Sequence, residues 1–279
     1  MEIIIAKSAG FCFGVKRAVD LTYKLLSENK KIAILGPLIH NPQCIADLES
    51  KGAITINELK EIPNNYDIVI RSHGVSKSIY SEIEKHKLTM HDTTCPFVKK
   101  IQKIAETSQM QNKTLLIAGN SKHPEVEGIV GHTKGKVFVF GNIDELKQYF
   151  LVNNTENEYI VVAQTTFEVK KWKECTKFLK KVCTNVKIFD TICSATWTRQ
   201  EETESIAKKC DLMIVIGGHN SSNTQKMHTV ASKFTKSVMI ETANELTQDL
   251  FSNVDIVGVT AGASTPESII EEVLSVCAK

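Results

Sequence analysis

Three cysteines in this 279-residue chain are each followed, 28 residues later, by a polar cluster at the end of a run rich in Ile, Leu and Val. The three pairs are Cys12 with His40, Cys95 with His123, and Cys193 with Ser221. Each copy closes with another apolar run and a second polar cluster, and these clusters end at His73, Thr166 and Ser264. Such self-similarity marks a repeated supersecondary unit. The spacing therefore predicts three α/β units, which we place at residues 1–95, 96–193 and 194–279.

The order of segments within each copy predicts the class of fold. Short runs rich in Ile and Val, such as 32–35, 115–118 and 212–216, alternate with stretches of helical periodicity such as 15–26. This alternation is typical of α/β proteins with mainly parallel sheets and helices on their faces. Ligands of such sheets bind at the carboxyl ends of strands, where the polar clusters lie. We expect three pseudo-repeated α/β units arranged around a central site that contains the three cysteines.

Composition and charge exclude several classes of protein. The 34 basic and 32 acidic residues give a formal net charge of +2, and without a long run of Lys or Arg the sequence has no electrostatic footprint for nucleic acid. Hydrophobic residues make up 42% of the chain and charged residues 24%, as in folded globular proteins. No stretch approaches the roughly 18 apolar residues of a membrane span, and the amino terminus lacks the basic leader of a signal peptide. We expect a cytoplasmic protein.

Eight cysteines without secretory features indicate metal or redox chemistry rather than disulfides. Cys12, Cys95 and Cys193 lie in the repeat, and three thiolates from distant loops suit one 4Fe-4S cluster in which one iron has no cysteine ligand. A structural zinc site would need four ligands, often in closely spaced cysteine pairs, and the sequence has no such pair. The other cysteines are expected to be small core residues, namely Cys44, Cys175, Cys183, Cys210 and Cys277.

The polar clusters consist mainly of neutral hydrogen-bond donors, several of them beside glycines. Such donors at helix amino termini can form an anion site without Lys or Arg, and six clusters in register with the cysteines suit a compact anion such as a diphosphate. The alternative is that these Ser and Asn residues only cap helices. The candidate substrate contacts are His40, His73, His123, Ser221, Ser222, Asn223 and Ser264.

Two carboxylates next to His123 are candidates for a proton donor. Glu125 and Glu127 both lie in the segment His-Pro-Glu-Val-Glu. Spacing alone does not choose between them, and either could instead be an acid in the first turn of a helix, where the helix dipole favours negative charge.

Nine short motifs occur in order along the chain. They are Gly10–Lys16 (GFCFGVK), Ile39–Asn41 (IHN), Arg71–Gly74 (RSHG), Asp92–Pro96 (DTTCP), His123–Gly128 (HPEVEG), Gln164–Thr166 (QTT), Asp190–Cys193 (DTIC), Asn220–Asn223 (NSSN) and Gly262–Ser264 (GAS). With these motifs the chain resembles the IspH/LytB family of 4-hydroxy-3-methylbut-2-enyl diphosphate reductases over nearly its whole length. Ser194, directly after the third cysteine, departs from many relatives, and this affects no assigned role.

The resemblance implies the last step of the methylerythritol phosphate route to isoprenoids, which gives isopentenyl and dimethylallyl diphosphate. It implies that Cys12, Cys95 and Cys193 hold the cluster, that Glu125 donates the proton, and that Thr165 is a polar relay or a substrate contact. Because no strand-associated GxGxxG motif for a nicotinamide or flavin is present, we expect electrons from an external ferredoxin or flavodoxin. From the residues alone, an iron–sulfur metabolite sensor and an aconitase-like hydro-lyase stay open as alternatives.

Overall fold

The computed structural model describes residues 1–278, which form twelve strands, ten α-helices and three short 3-10 helices. The strands are β1 (Glu2–Ile5), β2 (Ile32–Leu35), β3 (Ile54–Ile56), β4 (Asp67–Ile70), β5 (Met90–Asp92), β6 (Thr114–Ala118), β7 (Val137–Phe140), β8 (Tyr159–Ala163), β9 (Val186–Ile188), β10 (Leu212–Ile216), β11 (Lys236–Ile240) and β12 (Ile256–Ala261). The α-helices are α1 (Phe13–Ser27), α2 (Pro42–Ser50), α3 (Lys77–Lys85), α4 (Pro96–Met110), α5 (Pro124–Val130), α6 (Ile143–Val152), α7 (Val169–Val182), α8 (Ser194–Ala207), α9 (Ser222–Ala231) and α10 (Glu267–Cys277). The 3-10 helices are Leu59–Glu61, Ala243–Glu245 and Gln248–Phe251.

The strands form three four-stranded sheets in which every pairing is parallel. The first sheet has the order β5-β4-β2-β3, the second β9-β8-β6-β7 and the third β1-β12-β10-β11. Strand β2 of the first sheet, β6 of the second and β10 of the third are buried along their whole length. Such burial is expected for parallel sheets covered on both faces. The prediction of three α/β units with mainly parallel sheets is confirmed.

The amino-terminal strand belongs to the third sheet, where β1 pairs with β12 from Glu2 opposite Ile256 to Ile5 opposite Val259. Each sheet therefore has one outer strand that leads to a repeat cysteine. Strand β1 precedes Cys12, β5 precedes Cys95 and β9 precedes Cys193. The division of the chain at residues 95 and 193 stays a prediction.

The third sheet shows how the apolar runs build the core. Successive side chains of a strand point to opposite faces. Leu212, Ile214 and Ile216 of β10 pack on one face in a cluster that includes residues of α10, whereas Met213 and Val215 pack on the other face with residues of α8 and α9. Both faces are covered, so the carboxyl end of the sheet is the part that remains for polar side chains.

The chain divides into two compact units. The smaller unit contains residues 1–17, 39–50 and the chain from Ser194 onward, and includes the third sheet. The larger unit contains residues 18–38 and 51–193, and includes the first and second sheets. Within residues 1–278, no helix combines the length and the apolar character needed to cross a membrane.

Candidate active site

The three repeat cysteines occupy the same local position, between the outer strand of a sheet and a helix. Cys95 is the N-cap residue of α4, and Cys12 and Cys193 directly precede α1 and α8. The N–H of each cysteine donates a 3.0 Å hydrogen bond to a carbonyl just beyond the neighbouring strand of its sheet. The acceptors are Ala263 O for Cys12, Ser72 O for Cys95 and Thr165 O for Cys193. Ala263 and Ser72 directly precede the predicted substrate contacts Ser264 and His73, and Thr165 is itself a predicted contact. Each cysteine loop is therefore hydrogen bonded to a segment that carries a predicted substrate contact.

The eight cysteines fall into two groups. None of the eight forms a disulfide, and the three repeat cysteines have intermediate exposure whereas the other five are buried. Burial raises the pKa of the thiols of Cys175 and Cys183 to about 11, and it raises the pKa of Cys210 and Cys277 as well. A buried thiol with a raised pKa stays protonated and is a poor metal ligand. The prediction that these five are core residues is confirmed, since all of them lie in the apolar core.

Glu125 forms a buried pair with Thr165 in the larger unit. Glu125 lies in the first turn of α5 and is only 2% exposed. Its Oε1 accepts a hydrogen bond from Thr165 N and its Oε2 accepts one from Thr165 Oγ1, both at 2.6 Å. Because Thr165 O also accepts the N–H of Cys193, one residue joins the carboxyl group to a cysteine loop. Glu127, two positions later, is exposed.

The environment of Glu125 changes its acidity. Burial raises the pKa of this carboxyl group to about 7, although the two hydrogen bonds from Thr165 act in the opposite direction. An ordinary Glu has a pKa near 4.5 and has lost its proton at neutral pH. Glu125 retains a proton on a large fraction of molecules near pH 7, which is the property required of a general acid.

Two predicted substrate histidines of the larger unit lie close together at the start of α5. His123 is the N-cap residue of α5, and its Nδ1 accepts a 3.1 Å hydrogen bond from Glu125 N. In the neutral ring the proton is therefore on Nε2, which makes Nε2 a donor. The rings of His73 and His123 meet edge to face with centroids 5.5 Å apart. The ends of β4 and β6 thus bring these two histidines together.

The smaller unit brings together the other predicted contacts. Ser264 Oγ donates a 3.1 Å hydrogen bond to the carbonyl of His40. A side chain at Gly218 would meet this same carbonyl at 2.6 Å, so the close approach requires glycine there. Ser221 caps α9 by accepting a hydrogen bond from Thr224 N, and the partly buried Ser222 and buried Asn223 begin that helix. Ser221 acts as a helix cap, and its neighbours lie at a helix amino terminus that can bind an anion.

Two buried residues that sequence reasoning did not assign support these loops. Gln164 Oε1 accepts a hydrogen bond from Asn120 N at 3.2 Å, and its Nε2 donates to Thr166 Oγ1 at 3.0 Å, so it joins the loops after β6 and β8. Arg199 of α8 is 5% exposed and donates a 2.7 Å hydrogen bond to Gly10 O, in the loop of Cys12. Gln164 lies in the motif QTT, which could have pointed to it, whereas nothing in the spacing distinguishes Arg199.

A model of the LytB protein family matches residues 3–278. The chain belongs to the LytB family. The predicted class of fold is confirmed by a solved structure, that of the E-1-hydroxy-2-methyl-but-2-enyl-4-diphosphate reductase of Plasmodium falciparum. This structure has a TM-score of 0.94 and 27% sequence identity, and the match covers 100% of this chain and 88% of that one.

Curated members of the LytB family are similar over almost their full length. The 4-hydroxy-3-methylbut-2-enyl diphosphate reductase of Clostridioides difficile is 43% identical over 276 residues, which cover 99% of this chain and 98% of that protein. The protein of the same name from Caldanaerobacter subterraneus subsp. tengcongensis is 41% identical over 279 residues, which cover 98% of this chain and 96% of that protein. Both relatives carry the name of a reductase.

Proposed function

We propose that this chain is a 4-hydroxy-3-methylbut-2-enyl diphosphate reductase, an oxidoreductase that catalyses the last step of the methylerythritol phosphate pathway. The allylic hydroxyl leaves as water, and the substrate takes up two electrons and two protons to give isopentenyl or dimethylallyl diphosphate. The observation that carries the proposal is the buried Glu125–Thr165 pair, hydrogen bonded through Thr165 to the loop of Cys193, in a chain of the LytB family.

The cofactor that we propose is one 4Fe-4S cluster held by Cys12, Cys95 and Cys193. The donor set fits this group, because these are the three cysteines of intermediate exposure and their loops share one backbone geometry. Three thiolates also fit a cluster better than a structural zinc ion, which is normally held by four ligands. When bound, such a cluster supplies electrons and one Lewis-acidic iron without a cysteine ligand.

The substrate contacts that we propose hold the diphosphate with neutral donors. Asn223 is buried, and Ser222 stands at the amino-terminal end of α9, where backbone N–H groups and the helix dipole favour an anion. His123 presents a donor at Nε2. The complete set is His40, His73, His123, Thr165, Ser221, Ser222, Asn223 and Ser264.

Glu125 is the proton donor in this proposal. Its raised pKa keeps the proton on the carboxyl group near neutral pH, and a diphosphate nearby would disfavour a negative charge on Glu125 still further. Thr165 donates to both carboxylate oxygens through its N–H and its hydroxyl, so it fixes the direction of the carboxyl group and stabilises the anion left after proton transfer.

The electrons come from an external carrier, a ferredoxin or flavodoxin, because the sequence has no nucleotide-binding motif of its own. The location that we propose is the cytoplasm, where thiols remain reduced and available as ligands.

Anaerobic turnover with a chemical reductant tests the proposed activity. We expect protein reconstituted with iron and sulfide, given dithionite-reduced methyl viologen and the substrate, to form isopentenyl and dimethylallyl diphosphate and to oxidise two viologen radicals per product. Water addition or removal without oxidation of viologen would instead identify a hydro-lyase. Binding of the substrate without any product would identify a metabolite sensor. Either result would overturn the proposal.

A further inference from the structure

The start of helix α4 presents two side chains to solvent, Phe97 and Lys100. Phe97, at the second position of the helix, is 45% exposed. Lys100, one turn further, is exposed and makes no hydrogen bond or ion pair with the described residues. Most large apolar side chains of the described residues are buried, and Phe97 is among the few that are exposed.

The charges at this end of α4 do not stabilise the helix. The amino-terminal end of a helix carries a partial positive charge, so acidic residues are favourable there and basic residues are not. Helices α5, α6 and α10 have acidic residues in the first turn, whereas the other seven α-helices of the described residues, α4 among them, have none. Helix α4 has no acidic residue in its first turn and instead carries Lys99 and Lys100. Lys99 is paired with Asp92 at 2.6 Å, whereas Lys100 has no such compensation.

This exposed pair lies directly beside a proposed cluster ligand. Cys95 is the N-cap of α4, so Phe97 is two residues away, and two steps of about 3.8 Å place its Cα within about 8 Å of the Cα of Cys95. Cys95 is itself partly exposed. Electrons delivered at this point would have a short path to the proposed cluster.

The same combination recurs at a second repeat cysteine. Phe13 follows Cys12 and is 66% exposed, and Lys16 and Arg17 stand four and five residues after Cys12, as Lys99 and Lys100 do after Cys95. Two of the three cysteine loops therefore carry an exposed aromatic ring and a basic pair. Repetition of this combination beside proposed ligands favours a function in interaction over chance exposure.

We propose that Phe97 and Lys100 at the start of α4 form a docking surface for a small, acidic electron-carrier protein. An aromatic centre with a charged edge is typical of protein interfaces, and a basic surface steers an acidic partner into contact. The net charge of +2 and the lack of a long basic run do not fit a nucleic acid as the occupant. The inference rests on the proposed function, in which each product requires two electrons and therefore the oxidation of two one-electron carriers.

The experiment compares two electron sources in Lys100→Glu and Phe97→Ala. Dithionite-reduced methyl viologen needs no docking surface, whereas a small acidic ferredoxin, reduced beforehand, does. We expect kcat/KM for the reduced ferredoxin to fall about tenfold or more in Lys100→Glu at low ionic strength, in line with the usual size of electrostatic steering. Turnover with viologen should equal that of the parent. The ferredoxin-driven rate of the parent should fall as salt is added, and that of Lys100→Glu should depend less on salt.

Lys177→Glu provides the matched control, because it introduces the same change of charge on an exposed lysine of helix α7. It should match the parent with both electron sources. Iron content and the visible spectrum are measured for every variant. The docking proposal would be overturned if Lys100→Glu and Phe97→Ala both turned over with ferredoxin as fast as the parent. It would also be overturned if these variants lost the same fraction of activity with ferredoxin and with viologen. Failure of the parent to turn over with viologen would instead contradict the proposed function.

Discussion

At the scale of single residues, the proposed chemistry depends on the protonation of Glu125. Glu125→Gln keeps the size of the side chain but cannot give up a proton as a carboxylic acid does. We expect this variant to retain iron and to bind the diphosphate substrate, yet to lose turnover by about 10²- to 10⁴-fold, the usual contribution of general acid catalysis. Single-turnover kinetics at matched iron content measures the effect. The matched control is Glu127→Gln, which alters an exposed carboxylate and should leave the rate nearly unchanged. The reverse pattern would contradict the assignment.

The raised pKa of Glu125 also predicts a pH dependence. The acid form is required, and the pKa in the folded protein without substrate is about 7, so kcat/KM should decline as pH rises above about 7. This pKa is higher than the value of about 4.5 in an unfolded chain. Glu125 therefore costs no stability below about pH 4.5, where it is protonated in both states. As pH rises from there toward 7, burial of the carboxyl group progressively lowers the free energy of unfolding. Unfolding by urea at pH 5 and pH 8 should therefore show a larger loss of stability for the parent than for Glu125→Gln. An equal loss in both proteins would show that Glu125 is not the group that titrates.

The choice between Glu125 and Glu127 as the proton donor could not be made from the spacing of residues in the sequence. Both residues lie in the first turn of α5 by local pattern, and both suit the helix dipole there. What distinguishes them is burial against Thr165, forty residues later in the chain. Burial against a distant residue is a property of the tertiary structure, so no local spacing could have revealed it.

At the scale of secondary structure elements, Glu106 joins three parts of the larger unit. This residue of α4 accepts hydrogen bonds from Lys77 of α3 at 3.2 Å and Lys103 of α4 at 3.1 Å, and lies 3.3 Å from His132 Nδ1, just after α5. Burial raises the pKa of Glu106, but the interactions with Lys103, Lys77 and His132 outweigh it and lower the pKa to about 2. The carboxylate therefore stabilises the fold at neutral pH.

Replacement of Glu106 should destabilise the protein in a pH-dependent way. A lowered folded-state pKa contributes stability above about pH 4.5, and this contribution is lost as pH falls from there toward 2. The difference in free energy of unfolding between the parent and Glu106→Gln should thus be largest at pH 7 and smaller at pH 3.5. The control is Glu84→Gln, an exposed position of α3 that should change stability by less than about 0.5 kcal/mol at either pH. A difference that does not depend on pH would rule out the ionic contribution.

The elements themselves differ in how far the sequence could predict them. The runs at β2, β6 and β10 are apolar and rich in Ile, Leu and Val throughout, and this pattern is enough to predict buried parallel strands. The membership of β1 in the third sheet could not be predicted, because its partner β12 lies about 250 residues away and register between distant strands leaves no local signal. The 28-residue spacing did predict that the cysteines share a local position, and the three matching N–H bonds bear this out.

At the scale of the whole molecule, the proposed cluster takes its three ligands from segments that lie far apart in the sequence. Cys12→Ala, Cys95→Ala and Cys193→Ala should each lose iron, the brown colour and turnover after anaerobic reconstitution, whereas Cys175→Ala should keep all three, since Cys175 is a buried core thiol. A group that binds the folded state and not the unfolded state raises stability. Reconstituted parent and Cys175→Ala should therefore unfold at a higher temperature than their iron-free forms, and the three other variants should show no such gain. Full iron content with an unchanged gain in any of these three would remove that cysteine from the ligand set.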